Sequence, residues 1–506
     1  MKIDPGFPTG RKGLAMAVVL GAGLVATGAA AQQDPRAMTV REAAAAIRDG
    51  QVTSVQLVEA LATAAEAHAD LNAFITLDAA AAEAAAAEAD ERLARDEAGG
   101  LPLLGVPLVI KDNIVVKGRP TTGGTPALEG FVSEANAPVI ERLEAAGAII
   151  LGKTNLHELA FGITSDNAHF GAVGNAYDAS RSAGGSSGGT GAAVAAHLAP
   201  GGLGTDTGGS VRIPAALNGI AGLRPTMGRY PATGIVPIAH TRDTPGPIAR
   251  TVDDLVLLDG AITGGPTELD PVALEGVRLG VAEAFTGGLS SEVQGVWDAA
   301  LAKLEDAGVT LVPVDMPEVM ALNEKIGFPV ALYEVGVDLP AFLDDWKTGV
   351  SLQQVADGVA SPDVRFVFDN FVVGDKKMPA EAYEAAMGMF RPQLQTLYAE
   401  TFAADRLDAL VFPTAIIAAP PKEGSGETVE LNGERVPTFQ TVIRNTDPGS
   451  NAGLPGLTLP IGLTEGGLPV GLELDGPGFT DRHLLAIGLA MEDLFGTLPP
   501  PAVAGE

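Results

Sequence analysis

The chain has 506 residues, 46% of them hydrophobic, enough to bury a large core as one big α/β domain or two to three ordinary ones. Acidic residues outnumber basic ones 63 to 32, and the formal charge of −31 argues against nucleic acid or an anionic membrane as a partner. There is no cysteine, which excludes disulfides, thiolate metal sites and a cysteine nucleophile.

The chain starts with a targeting pattern. Arg11 and Lys12 precede an apolar stretch from Gly13 to Ala26, and Ala29, Ala30 and Ala31 offer small residues before Gln32. Residues 1–31 read as a signal peptide, which implies a periplasmic or secreted mature chain, with an uncleaved anchor as the alternative. No later segment reaches the length of an uncharged membrane helix.

Helices come next. Thr39-Val40-Arg41-Glu42 and Thr53-Ser54-Val55-Gln56 both fit the capping box and open runs with helical apolar spacing, and Asp78 to Glu97 is rich in alanine. From Gly105 the pattern changes. Short apolar runs at Gly105 to Ile110 and Ala148 to Leu151 alternate with helical stretches such as Pro138 to Ala146, which predicts an α/β core with buried strands. Further runs at Val277 to Val281, Val309 to Val314 and Ala409 to Phe412 extend that sheet. The stretch of about 318–404 lacks strand signals and predicts a helical insertion or lobe. No internal repeat or low-complexity linker interrupts the chain, so residues 32–506 read as one large domain.

The densest chemical signal lies between Gly184 and Pro214. Gly184-Gly185-Ser186-Ser187-Gly188-Gly189 and Gly204-Thr205-Asp206-Thr207-Gly208-Gly209-Ser210 are two serine loops framed by glycine. Glycine serves positive φ and close approach of main chain to a ligand, and successive N–H groups in such loops form anion-binding concavities. A nucleophile beside an oxyanion hole follows from that. Two other motif matches fail on physical grounds. Residues 147–154 satisfy the Walker A pattern, but the intervening Ala-Ile-Ile-Leu run is strand-like rather than a backbone-exposing loop. Residues 184–188 fit the nucleophile elbow, yet the preceding Asn175 to Ala183 is polar and turn-rich where a buried strand is required.

Lys111-Asp112-Asn113 at the end of an apolar run, the double-serine loop and the Gly-Thr-Asp-Thr-Gly-Gly-Ser-Val-Arg-Ile-Pro run of 204–214 together resemble the amidase signature family. The resemblance extends from about Thr39 to Phe495 and includes 152–158, 243–247 and 467–471. It implies a single large domain with a mixed β-sheet flanked by helices, and a Ser–cis-Ser–Lys mechanism. In that mechanism Ser210 is the nucleophile, Ser186 the relay on a cis peptide and Lys111 the base. The N–H groups of Thr207, Gly208, Gly209 and Ser210 are the expected oxyanion hole. Asp206 and Arg212 are similar to the family's structural ion pair, and Ser187 is expected to hydrogen-bond the lysine. Burial of Lys111 would lower its pKa and free the amine to accept a proton.

The resemblance implies a small-molecule amide as the partner and no cofactor, without nucleic acid or a stable membrane partner, and it allows a homodimer. Residues 222–231 and 471–477, with Arg224 and Glu473, are similar to the branch that hydrolyses indoleacetamide and mandelamide. The other readings are a glutaminase subunit of a tRNA-dependent amidotransferase and a periplasmic solute-binding protein. The targeting pattern argues against the first, and the Lys111, Ser186, Ser210 set against the second. His68, His157, His169, His197, His240 and His483 show no paired metal-ligand spacing, so no metal site is expected, and His240 lies close to the signature residues.

Overall fold

The computed structural model describes residues 34–97 and 99–505, so the leader expected at 1–31 lies outside the described residues. In chain order the strands are β1 (Phe74–Leu77), β2 (Pro107–Lys111), β3 (Ile149–Thr154), β4 (Gly201–Asp206), β5 (Ala221–Arg224) and β6 (Thr244–Ala249). The second half adds β7 (Arg278–Ala282), β8 (Thr310–Val314), β9 (Ala409–Pro413), a hairpin of β10 (Thr428–Leu431) and β11 (Glu434–Pro437), then β12 (Gly456–Leu463) and β13 (Pro469–Asp475). Apart from the hairpin they form one mixed sheet of 11 strands, in the order β1-β3-β2-β4-β6-β5-β12-β13-β9-β7-β8.

The apolar runs visible in the sequence became β2, β3, β7, β8 and β9, and their mutual pairings are parallel. β2, β3 and β9 are buried along their whole length, and strands buried on both faces read as continuous apolar runs, whereas β8 is an edge strand with exposed and half-buried residues that its valines and leucine still made legible. The strands β4, β5, β6, β12 and β13 were not. β4 reads Gly-Gly-Leu-Gly-Thr-Asp and β6 reads Thr-Pro-Gly-Pro-Ile-Ala, compositions that local propensity assigns to loops. Tertiary packing reverses the preference. A Cβ on Gly202 would lie 2.6 Å from the Val109 carbonyl oxygen, and one on Gly204 2.7 Å from Ser187 Oγ. Glycine there lets β4 lie close against β2 and the first serine loop.

Both expected capping boxes are present, at the helices Val40–Arg48 and Ser54–Ala67. The alanine-rich helix Ala79–Ala94 buries Ala82, Ala86 and Ala89 on one stripe, so its small side chains bring it close to its neighbours. Between β8 and β9 the described elements are helical: Val319–Asp345, Leu352–Gly358, Pro362–Val367, Ala380–Ala385 and Arg391–Asp405 among them. The first of these is by length and composition apolar enough to cross a membrane, though it carries Glu334 and Asp338 and buries Leu322, Ile326, Val330 and Val335. Residues 35–506 form one compact unit.

Candidate active site

Lys111 is the last residue of β2 and is fully buried. Its Nζ donates to Ser186 Oγ at 2.7 Å and to Thr205 Oγ1 at 2.7 Å, and Asn113 Nδ2 donates to the same threonine oxygen at 3.0 Å. Burial disfavours the ammonium and lowers its pKa to about 7, against the opposing pull of the Asp206 and Asp243 carboxylates. The amine is therefore poised to exchange a proton near neutral pH.

The first serine loop is fixed from several sides. The peptide bond between Gly185 and Ser186 is cis. The Ser186 carbonyl accepts from the His157 N–H at 3.2 Å and from Ser165 Oγ at 3.2 Å, while Ser165 Oγ accepts from the Gly188 N–H at 3.0 Å. A Cβ on Gly185 would lie 2.8 Å from the backbone of Ile163, so only glycine fits. The Ser187 N–H donates to the Ser210 carbonyl at 3.2 Å, which ties the two serine loops together.

Ser187 does not hydrogen-bond the lysine as expected. Its hydroxyl donates to the Thr205 carbonyl at 3.2 Å and accepts from the Thr205 N–H at 3.3 Å, which commits it to the backbone of β4. Thr205 takes the expected place beside Lys111 Nζ. Its role was not legible in the sequence, because it depends on β4 pairing in parallel with β2 at Ile110 and Leu203.

Ser210 is 7% exposed, whereas Ser186 and Lys111 are fully buried, so of the three it is the one that solvent reaches. Its loop differs from expectation in one donor. The Gly209 N–H is given to Asp206 Oδ1 at 2.8 Å, a local side-chain-to-backbone bond that removes it from the oxyanion set. The N–H groups of Thr207, Gly208 and Ser210 make no hydrogen bond to any described residue. The loop is clamped by Thr446 Oγ1 donating to the Gly208 carbonyl at 2.6 Å, Arg242 Nε donating to the Thr207 carbonyl at 3.2 Å and Thr207 Oγ1 donating to Asp243 Oδ1 at 2.6 Å.

Behind the loop lies a buried charge network. Arg212 holds Asp206 through two bonds, Nε to Oδ2 at 3.0 Å and Nη2 to Oδ1 at 3.1 Å, and also pairs with Glu473. Arg224 pairs with Asp206 at 3.0 Å. Although burial opposes it, the two guanidinium groups hold the Asp206 carboxyl below the usual carboxylate range. Burial raises Glu473 and brings Asp475 up to about 6. Asp206 and Arg212 thus sit together as the expected ion pair, with no hydrogen bond from either to Lys111, although the Asp206 charge still pulls the lysine pKa upward.

The rejected motifs keep their structural reading. Lys153 lies in β3, fully buried, bridged to Asp112 at 2.8 Å, and is no phosphate-loop lysine. No strand precedes Ser186 between Asn175 and Ala183, where among the described residues there are only the isolated bridges of Gly174 with Ser182 and of Arg181 with Pro421. His240 accompanies Asp338 at 2.9 Å and Glu334 at 3.4 Å, with a side chain 60% exposed. Their candidate ligand atoms lie within 4.8 Å of one another, a grouping that the sequence spacing did not reveal because the fold assembles it from a loop and a helix.

The family model for Amidase matches residues 56–485. A mandelamide hydrolase of Pseudomonas putida is 45% identical over 485 residues, covering 92% of this chain and 93% of that protein. An indoleacetamide hydrolase of Rhizobium radiobacter is 44% identical over 443 residues, covering 87% and 94%. The crystal structure of a peptide amidase from Stenotrophomonas maltophilia superposes with a TM-score of 0.78 at 30% identity, covering 92% of this chain and 99% of that one.

Proposed function

Because the chain belongs to the amidase family and is an amide hydrolase, we propose that it cleaves a small primary amide of aryl-acetic type through an acyl-enzyme on Ser210. Ser186 relays the proton and Lys111 is the base. The observation that carries this reading is the 2.7 Å contact of Lys111 Nζ with Ser186 Oγ in a buried setting that brings the amine to about 7.

With Lys111 neutral, Ser186 passes its proton to Nζ as it takes the proton of Ser210. Ser210 Oγ then bonds to the carbonyl carbon, and the carbonyl electron pair moves onto oxygen. The N–H groups of Thr207, Gly208 and Ser210 receive that charge, each such donor being worth about 10²–10³ in rate. The proton returns through Ser186 to nitrogen as the C–N bond breaks, and ammonia leaves. Water repeats the attack on the ester along the same proton path, the bond to Ser210 breaks, and the carboxylic acid departs.

The aryl-acetic preference is supported by the names of the relatives at 44–45% identity and by Arg224 and Glu473 at positions similar to that branch. Ammonia release from phenylacetamide, mandelamide, indoleacetamide, propanamide and glutamine tests it. Aryl amides are expected to be turned over fastest, and turnover confined to glutamine would reject the assignment in favour of a glutaminase subunit. The reading also sends the chain out of the cytoplasm after removal of residues 1–31. N-terminal sequencing of the protein from its own host checks this, and an intact Met1 in the cytoplasm overturns it.

A further inference from the structure

We propose that Phe328 and Phe439, with Ile443 one helical turn beyond Phe439 and against Gly208, form the subsite that receives the aryl ring of the substrate and sets the preference for aryl over aliphatic amides. This rests on Ser210 being the nucleophile toward an amide.

Phe328 and Phe439 come from helices Val319–Asp345 and Thr438–Ile443, far apart in sequence, yet their ring centroids lie 5.8 Å apart at 35°. Phe328 is 48% exposed, an uncommon state for a large apolar side chain. Both helices are docked on the nucleophile loop. Ile443 lies one helical turn beyond Phe439, and its Cδ1 is 3.0 Å from where a Cβ on Gly208 would stand. Gly327, next to Phe328, offers its carbonyl to Arg242 Nη1 at 3.0 Å, and the same guanidinium donates through Nε to the Thr207 carbonyl at 3.2 Å. A Cβ on Gly208 would also meet Asp447 Oδ1 at 2.7 Å, and one on Gly327 would meet Asp447 Oδ2 at 3.0 Å. One carboxylate therefore packs against the glycine before Phe328 and the glycine two residues before Ser210.

That arrangement fits an apolar ring held beside a reacting carbonyl. The Asp447 carboxylate beside the two glycines is itself paired: Arg242 pairs with it, and Asn323 Nδ2 donates to Asp447 Oδ2 at 2.9 Å. The phenylalanine pair offers apolar ring surface against which a third ring can pack edge-on or offset, the arrangements that aromatic groups prefer. A short alkyl chain gains far less from such a pair, so discrimination arises from contact area beside the acyl carbon.

The test is steady-state hydrolysis of phenylacetamide and propanamide by the wild type, Phe328→Ala, Phe439→Ala and Phe328→Tyr. The ratio of kcat/KM for phenylacetamide to that for propanamide is expected to fall about tenfold in each alanine variant, mainly through KM. Phe328→Tyr is expected to keep the ratio. A folding defect scales both rates alike and cancels in the ratio. An unchanged ratio in both alanine variants overturns the subsite, as does a wild type that prefers propanamide, while Ser210 stays assigned. Hydrolysis of neither amide, or an active Ser210→Ala enzyme, overturns the reading of the site on which the subsite rests.

Discussion

Lys111 Nζ lies 2.7 Å from Ser186 Oγ with both side chains fully buried, so a cation that the usual lysine pKa would keep protonated is placed where water cannot support its charge. Thr205 Oγ1 on its other side, also at 2.7 Å, is the only further hydroxyl that Nζ contacts among the described residues. The pair therefore places at a strand terminus an amine whose pKa is lowered to about 7, the property that the proposed base requires.

Thr205→Val removes that second acceptor and tests its part in holding the lysine. An acceptor stabilises the ammonium, so its loss should push the Lys111 pKa below about 7 and move the acidic limb of kcat/KM to lower pH. The substitution also strands Asn113 Nδ2, at a cost of about 1–3 kcal/mol in urea unfolding. An unshifted limb with wild-type turnover would mean that Thr205 only fills space.

Ser210→Ala should lower amide hydrolysis by on the order of 10⁶-fold while leaving the unfolding curve within experimental error. Ser210 is the solvent-reachable member of the set, and its hydroxyl makes no hydrogen bond to a described residue, so its loss leaves no partner unsatisfied. Retention of more than a few per cent of turnover would transfer the nucleophile elsewhere.

The charge network behind the loop predicts opposite responses from its acids. The folded pKa of Asp206 is depressed, so its contribution to stability is present above the unfolded value of 3.8 and lost as pH falls through that value toward the folded one. Arg212→Met should therefore cost about 3–5 kcal/mol at pH 7, because carboxylates that it compensates stay buried. Glu473 is raised by burial, so its favourable contribution is the neutral form, lost as pH rises through the folded value. Glu473→Gln keeps the shape without the ionisation and should leave stability unchanged or higher at alkaline pH. Equal destabilisation by Glu473→Gln and Arg212→Met, measured by urea unfolding at pH 5, 7 and 9, would show that Glu473 is needed as a carboxylate.

How much of this was legible in the sequence depended on whether the signal was local. The runs of valine, isoleucine and leucine that became β2, β3 and β9 announce themselves, and the capping threonines at 39 and 53 do so too. Lys111, Ser186 and Ser210 could be named because their glycine-rich surroundings resemble a known family, and the fold brings Lys111 to Ser186 across 75 residues. The strands β4 and β6 hid behind glycine and proline, which serve close packing there rather than turns. Ser187 was misjudged for the same reason: its neighbour in space is the backbone of β4. The contacts of Phe328 with Phe439 and of His240 with Asp338 join segments of separate helices and loops, and no spacing rule reaches them.

A final comparison separates a lysine base from a histidine base. Lys111→Ala should lose about 10²–10⁴-fold in the acylation rate, the usual contribution of a positioned base. His240 and His483 have side chains 60% and 45% exposed and are engaged with Asp338 and Asp408, so replacing either with alanine should leave acylation largely working. The carboxylates beside His240 raise its pKa although its partial burial opposes this. Its loss would therefore alter only the hold of the loop on the helix Val319–Asp345, most of all at low pH where the imidazolium form prevails. With Lys111 as the proposed base, wild-type acylation should rise as pH passes through about 7 and stay high into alkaline solution, because a base must be the neutral amine. Single-turnover acylation of the three variants across pH 5 to 10 makes the comparison. Loss of acylation in His240→Ala or His483→Ala, with Lys111→Ala still active, would reject the lysine and return Ser186 to consideration as the nucleophile.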